Sequence, residues 1–422
     1  MSAVWKRIRR WLPRAGGWAV AAVTLGGMRV AGQETGTSRY FHYRGAIHIH
    51  TQYSDGSGTF PEVVDAARGA GLDYIITTDH NTLQPIRDGH QRYWDGLLVL
   101  IGTEISTDAG HALGLDLPET FSFEPRGAQQ VLDRVNAAGG FTILAHPMSP
   151  RWQWRNWNAR GFTGMEVINL SSLVDDDLRN AQHGVRIQDR SVQRLVQLSK
   201  RYLTNPNGVM KTLTNRDVEP ERRQWDRLLA SGRQVAGTGA VDAHARVPVG
   251  GQVFKVPSYQ EAFESVTTYA VVPQRLSGEF ERDRRLIYGA YRNGRIYAVY
   301  PRVSPAPGFR FTAAEGSREA TMGQPLEMEQ RVRLRVEAPD HSRPVIRLLK
   351  DGSEVASAED RRLEWTASEP GAYRVEVYAW EGPGRLVDRL RRGRLRDLSG
   401  LLRSRSRELR PWIFSNPIYL RR

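Results

Sequence analysis

Short apolar runs recur from Tyr43 onward, separated by stretches whose apolar positions return every three or four residues. That is the alternation of strand and helix expected of β/α units. The spacing predicts strands over 45–50, 74–78, 97–102, 112–115, 141–145, 164–168 and 234–239. Helices are predicted over 61–70, which opens on a proline, and over 128–138. Seven strands with helical connections predict an α/β fold, a barrel occupying 43–250. A long excursion over 169–221 delays the last strand and is expected to form one wall of the barrel mouth. A connecting region over 251–300 follows, with helices expected at 259–265 and 286–294. Beyond 301 the pattern turns to alternating apolar and polar residues over 331–337, 345–349, 363–367 and 372–379, with a turn at Lys350-Asp351-Gly352. This predicts a small all-β, Ig-like sandwich domain over 301–422, interrupted by an arginine-rich insertion at 385–410.

Composition narrows the chemistry. With 422 residues, 40% of them hydrophobic, the chain can bury a barrel-sized core and a second module. It has no cysteine, which excludes disulfides and thiolate metal sites, so any bound ion must rest on His, Asp or Glu. Sixty Lys+Arg against 46 Asp+Glu give a formal charge of +14. Much of the excess sits at 6–14 and 385–410, which leaves the centre nearer neutral, so a nucleic-acid partner is not expected.

The basic start around Lys6 to Arg10 and the small-residue apolar run behind it read as an export signal over 1–32, or alternatively as an N-terminal anchor. An exported protein, periplasmic or extracellular, is therefore expected. The N-terminal segment and the arginine-rich insertion are the candidates for contact with a membrane surface, the plain alternative for the insertion being a solvated helix or loop.

Candidate chemistry concentrates at the strand ends. His48 and His50 are two apart on a predicted strand, a spacing that turns both imidazoles to one face. Asp55 follows in Ser54-Asp55-Gly56. Later strands end on Thr78-Asp79-His80-Asn81, Gly102-Thr103-Glu104, Ala145-His146-Pro147 and Val241-Asp242-Ala243-His244, and His111 lies beyond Glu104. Six of the ten histidines belong to this set. Barrel enzymes assemble their sites on that rim. Nine His, Asp and Glu ligands are too many for one tetrahedral ion, so two or three divalent ions (Zn, Mn or Fe) are expected.

This ordered series resembles the PHP (polymerase and histidinol phosphatase) superfamily over roughly 43–247. The resemblance implies a distorted (β/α)7 barrel holding up to three ions. His48, His50, Glu104 and Asp242 would hold the first, Glu104, His111 and His146 the second, and Asp55, His80 and His244 the third. Glu104, Asp242 and His244 are the residues expected to take part in the chemistry. The C-terminal order, ending on Pro411-Trp412-Ile413-Phe414-Ser415-Asn416-Pro417, is similar to a branch of carbaryl-type hydrolases. One departure is Val241, where a serine commonly precedes the last aspartate.

The function implied is a phosphoesterase, a phosphatase or phosphodiesterase acting on a small molecule through a metal-bound hydroxide, with an arginine such as Arg151 or Arg155 clamping phosphate. Two alternatives stay open. The same centre could open a carbamate or carboxylic ester, or the chain could be a non-catalytic exported binding or scaffold protein. Trp152, Trp154 and Trp157 read either as packing against the rim or as an apolar wall for the substrate.

Overall fold

The computed structural model describes residues 40–173, 218–249, 252–255, 257–341, 344–381 and 408–422. The export segment, most of the excursion over 169–221 and most of the arginine-rich insertion lie outside the described residues. Among the described residues no helix is long and apolar enough to cross a membrane.

The first part of the chain supplies β1 (Phe41–Ile47), β2 (Tyr74–Thr77), β3 (Tyr93–Trp94), β4 (Leu97–Ile101), β5 (Thr103–Thr107), β6 (Gly110–Leu115), β7 (Phe141–Leu144), β8 (Gly164–Asn169) and β9 (Ala236–Ala240). A hairpin of β10 (Val247–Val249) and β11 (Gln252–Phe254) precedes β12 (Thr267–Val272) and β13 (Ile296–Val299). The remainder carries no helix among the described residues. It consists of β14 (Arg310–Glu315), β15 (Arg318–Thr321), β16 (Pro325–Glu327), β17 (Val332–Glu337), β18 (Pro344–Lys350), β19 (Ser353–Ala358), β20 (Arg362–Ala367), β21 (Gly371–Glu381), β22 (Glu408–Ser415) and β23 (Ile418–Arg421).

The early helices form for local reasons. Phe60–Gly69 starts on Thr59, whose hydroxyl accepts from the Glu62 backbone N–H while the Glu62 carboxylate accepts from the Thr59 N–H, so two orphan donors are satisfied at once. It buries Phe60, Val63, Val64 and Ala67, and Ala128–Ala137 buries Ala128, Val131, Leu132 and Val135, one stripe of each helix turned to the core.

The strands do not close into one barrel, contrary to expectation. β1, β2 and β4 pair in parallel within a large twelve-stranded sheet, whereas β5 to β9 form a separate five-stranded sheet. Among the described residues, isolated bridges from Ile49 to Ala243 and from His80 to Glu104 join the two. The physical reason is local geometry. The chain turns into the left-handed region at His48 (φ 67°), His146 (φ 29°) and Asp242 (φ 48°), and a regular ladder cannot run through such residues. The parallel β/α pattern also breaks at β5, which follows β4 after Gly102 alone and folds back antiparallel on β6, Thr103 opposite Gly114 and Thr107 opposite Gly110.

The region over 251–300 does hold helices, Tyr259–Phe263 and Phe280–Arg292, but it also adds strands to the sheet. β12 pairs antiparallel with β1, β13 with β12, and β22 with β13. The last strands therefore extend the sheet that begins at β1. On the far side, the sheet β15-β14-β17-β20 packs over β18 and β21, with Val332, Leu334 and Val336 inward against Ile346, Leu348, Val375 and Val377. Arg333 and Arg335 alternate outward.

Two polar anchors tie the C-terminal strands to the first part. Arg374 is fully buried, donates to both Asp226 oxygens at 2.8 and 2.9 Å, and meets Glu376 at 2.6 Å, which also receives Arg222 at 2.9 Å. Asp226 and Arg222 stand on helix Glu219–Ala230, the element that leads into β9. Asn416, also fully buried, accepts from the Gly237 N–H (2.7 Å) and donates to the Gly237 and Ile296 carbonyls (both 2.8 Å), so its amide completes the backbone bonding of β9. Replacing Asn416 by alanine orphans these buried groups and should cost about 3 kcal/mol. Urea unfolding of the purified variant checks this, and an unchanged midpoint would show that β9 is held by other means.

Candidate metal centre

Glu104 is the hub. It stands on β5, 1% exposed. Its Oε1 accepts from His111 Nδ1 at 2.7 Å and from His146 Nε2 at 2.9 Å. Its Oε2 lies 3.1 Å from His48 Nε2, 3.2 Å from His50 Nε2 and 3.3 Å from His80 Nδ1. Asp242 and Asp55 are secondary centres. Asp242 Oδ1 faces His48 Nε2 and His244 Nδ1 at 3.5 Å and His50 Nε2 at 3.4 Å, and Asp55 Oδ1 faces His244 Nε2 at 3.3 Å, His50 Nδ1 at 3.5 Å and His80 Nε2 at 3.8 Å. All nine residues singled out in the sequence thus come together.

The route by which His48 and His50 converge differs from the alternation of a regular strand. β1 ends at Ile47, and His48 adopts a left-handed backbone, so a kink rather than the strand period aims both rings inward, with centroids 5.1 Å apart. Asp55 is set by the turn that follows. Any side chain at position 56 would bring a Cβ within 2.3 Å of the His50 carbonyl, so the turn requires Gly56. Asp79, inside the same motif as His80, is not part of the cluster. Its carboxylate accepts from the Thr51 N–H and hydroxyl, both at 2.7 Å, and from the Ser54 hydroxyl at 2.6 Å, which fixes the loop carrying Asp55.

Sequence reasoning missed Glu166. It is fully buried on β8, accepts from His48 Nδ1 at 2.7 Å and from the His146 backbone N–H at 2.6 Å, and receives Asn169 Nδ2 at 2.8 Å. With Nδ1 committed to Glu166, His48 presents Nε2 to the cluster, the orienting role of a carboxylate behind a ligand histidine. The signal was present as a lone carboxylate in the otherwise apolar Gly164-Met-Glu-Val-Ile segment. His42 and His90 lie elsewhere, one beside the Tyr297 hydroxyl and the other stacked on Phe60.

The donor chemistry fits divalent cations. His48 Nε2, His50 Nε2, His80 Nδ1, His146 Nδ1 and Asp55 Oδ1 are buried without a hydrogen-bond partner, an expense that ligation would relieve. Four overlapping groups have ligand atoms close enough to share an ion: His48, His50 and Asp242; His48, Glu104 and His146; His80, Glu104 and His111; and His50, Asp55, His80 and His244.

Electrostatics follow from the same packing. Burial alone would push the His48 and His50 imidazoles down. Asp242, Glu166 and Glu104 outweigh it for His48, which is held well above the usual range, and Asp242 and Glu104 raise His50 to about 9. Burial would raise Glu104, Asp242 and Asp55, yet the surrounding imidazoles hold all three well below the usual carboxylate range. His80, where burial prevails, is lowered.

A cavity of about 600 Å³ opens over this cluster, walled by Arg151, Trp152, Gln153, Arg155, Ser171 and Ser172. Of the three tryptophans, Trp154 is fully buried and Trp157 packs partly buried against the core, while Trp152 stands 45% exposed at the mouth.

The chain matches the PHP domain family over residues 46–264, just over half its length, and belongs to that family. No curated protein matches it. It is similar in structure to a two-domain protein from Bacteroides vulgatus that contains a predicted PHP-like metal-dependent phosphoesterase, with 17% identity and a TM-score of 0.43 over 82% of this chain and 94% of that one. It is also similar to an amidohydrolase from Chromobacterium violaceum solved with sulfate, with 15% identity and a TM-score of 0.29 over 51% of this chain and 92% of that one.

Protons and metal ions compete for the same imidazole nitrogens. Because the metal-free fold raises His50 to about 9, loading releases protons, and apparent affinity should climb as pH rises from 6 toward that value. Calorimetric titration with Mn or Zn in buffers of different ionisation enthalpy reads the protons released. Glu166→Gln should weaken ion binding about 10- to 100-fold by loosening His48 and His146, and wild-type affinity in that variant would remove Glu166 from the assembly.

Proposed function

We propose that this protein is a metal-dependent phosphoesterase acting on a small molecule, with two or three divalent ions held by the nine residues above. The observation that carries the reading is Glu104, a buried carboxylate whose two oxygens are shared among five imidazoles. A carboxylate so placed suits bridging between adjacent ions. His48, His50, Glu104 and Asp242 would hold one ion, Glu104 with His111 and His146 a second, and Asp55, His80 and His244 a third. Imidazole and carboxylate without thiolate suit Zn, Mn or Fe(II). When bound, such ions supply Lewis acidity that activates water and neutralises charge on a phosphoryl group.

The chain's own residues have separable parts. Glu104 and Asp242 are held ionised, so they act as anionic ligands and not as proton donors. In a two-ion centre, where His244 would not serve as a ligand, this quarter-exposed histidine would be the group to hand a proton to a leaving oxygen. Its Nδ1 lies 3.0 Å from the Asp242 carbonyl, which orients the ring with Nε2 toward Asp55. The basic, apolar N-terminal pattern supports an exported site of action.

A second reading, a carbamate or carboxylic ester hydrolase on the same centre, draws on the exposed Trp152 indole, which offers an apolar face at the mouth. Parallel assays with Mn or Zn on nitrophenyl phosphate, bis-nitrophenyl phosphate and an aryl carbamate separate the two, and the phosphoester reading falls if only the carbamate turns over. His48→Ala or Asp242→Ala should abolish both bound metal and turnover while circular dichroism shows the strands intact. Full turnover in either variant would count against the whole assignment, and near-zero metal in protein grown with both ions would favour a binding protein.

A further inference from the structure

Two arginines at the mouth could meet an anionic substrate, and the structure separates them. Arg155 is committed to its own wall: its guanidinium donates to the Asp108 carbonyl at 2.8 Å and its backbone N–H to the Ala109 carbonyl at 2.7 Å. Arg151 has no ion pair and no side-chain hydrogen bond among the described residues, although an arginine carries five donors. Its guanidinium lies over the Trp152 ring, 5.0 Å from the centroid. Trp152 in turn stacks on His111, centroids 5.0 Å apart at 25°, and His111 bonds to Glu104. A continuous stack thus runs from the hub of the cluster to an exposed cation at the cavity wall.

We propose that Arg151, carried on Trp152, is the group that binds the non-bridging oxygens of the phosphoryl group and selects phosphate monoesters over neutral esters. This rests on the phosphoesterase reading. The indole restricts the wandering of a long flexible side chain without using up its hydrogen-bond donors, so the guanidinium reaches the ligand at reduced entropic cost. Charge agrees. Arg151 adds a positive charge to the wall of a cavity whose floor would hold divalent ions, which suits an anionic phosphoryl group better than a neutral ester. Burying an unused cation beside a neutral ester would bring no such gain.

The test uses the metal-loaded full chain and inorganic phosphate as probe. Arg151→Ala should weaken phosphate binding by calorimetry about 10- to 100-fold, the range of one or two charge-assisted hydrogen bonds, and Arg151→Lys should recover part of it. The KM for phenyl phosphate should rise by a similar factor with kcat little changed, because the contact exists in both ground and transition states. Bound metal and turnover of a neutral aryl ester should match wild type. Phosphate affinity within about twofold of wild type in Arg151→Ala, or an equal loss on the neutral ester, overturns the proposal. If the wild-type protein hydrolyses no phosphate monoester, the phosphoesterase reading fails, and the phosphate titration still decides the role of Arg151.

Discussion

A carboxylate buried at the seam of two sheets sets the terms for the rest of this structure. Moving Glu104 out of water costs several kcal/mol, and only immediate positive charge or good hydrogen bonding offsets that. Five imidazoles surround it, themselves disfavoured as cations by burial. Neither partner is stable alone. Without ions, shared protons balance the cluster, which is why His48 and His50 titrate high and Glu104, Asp242 and Asp55 titrate low. Divalent ions would accomplish the same neutralisation with more charge and would engage the nitrogens that stand without hydrogen-bond partners.

That requirement reaches into the backbone. His48, His146 and Asp242 all sit in left-handed conformations, which cost energy for residues other than glycine and persist only where surrounding structure over-determines them. Each follows directly on, or two residues beyond, a strand of an otherwise regular sheet: β1, β7 and β9. The kinks aim the side chains into one volume and at the same time end the ladders, so an open seam between two sheets takes the place of a closed barrel. The seam needs support from outside. Asn416 and the Arg374 network provide it on β9 and on the helix before it, which makes the C-terminal strands part of the scaffold of the site.

Strong local patterns were legible in the sequence. The apolar runs of β2, β4, β7 and β8 and the capped helix at Phe60 matched the structure because burial on both faces leaves little ambiguity. The cluster of His, Asp and Glu was legible as a set because histidine recurs at strand ends. What sequence could not show was long-range in origin. β5 reads as part of the run after β4, and only the antiparallel partner β6 defines it. β22 begins inside arginine-rich sequence, where local polarity argues against a strand, and pairing with β13 and β21 overrides it. Glu166 was missed because a carboxylate on a buried strand has no meaning until the histidine it orients is seen beside it. The alternation argument for His48 and His50 reached the right convergence through the wrong geometry.

The tryptophans past His146 show how one sequence cluster divides between structure and chemistry. Trp154 is sealed in the core, its indole N–H satisfied by the Asn156 carbonyl, so it sets the path of the wall. Trp152, two residues earlier, points the other way, onto His111 and into the cavity. In an extended segment adjacent residues alternate sides, and residues two apart share one, so opposed fates at this spacing require the chain to turn between them. The backbone records that turn: the Trp152 N–H bonds back to the Ser149 carbonyl, while the Trp154 N–H reaches the Pro147 carbonyl. Both bonds return the loop to the residues just after His146. The far end of the wall is held separately, by the Arg155 N–H on the Ala109 carbonyl, so the exposed indole and its arginine are carried on a loop bonded at several points.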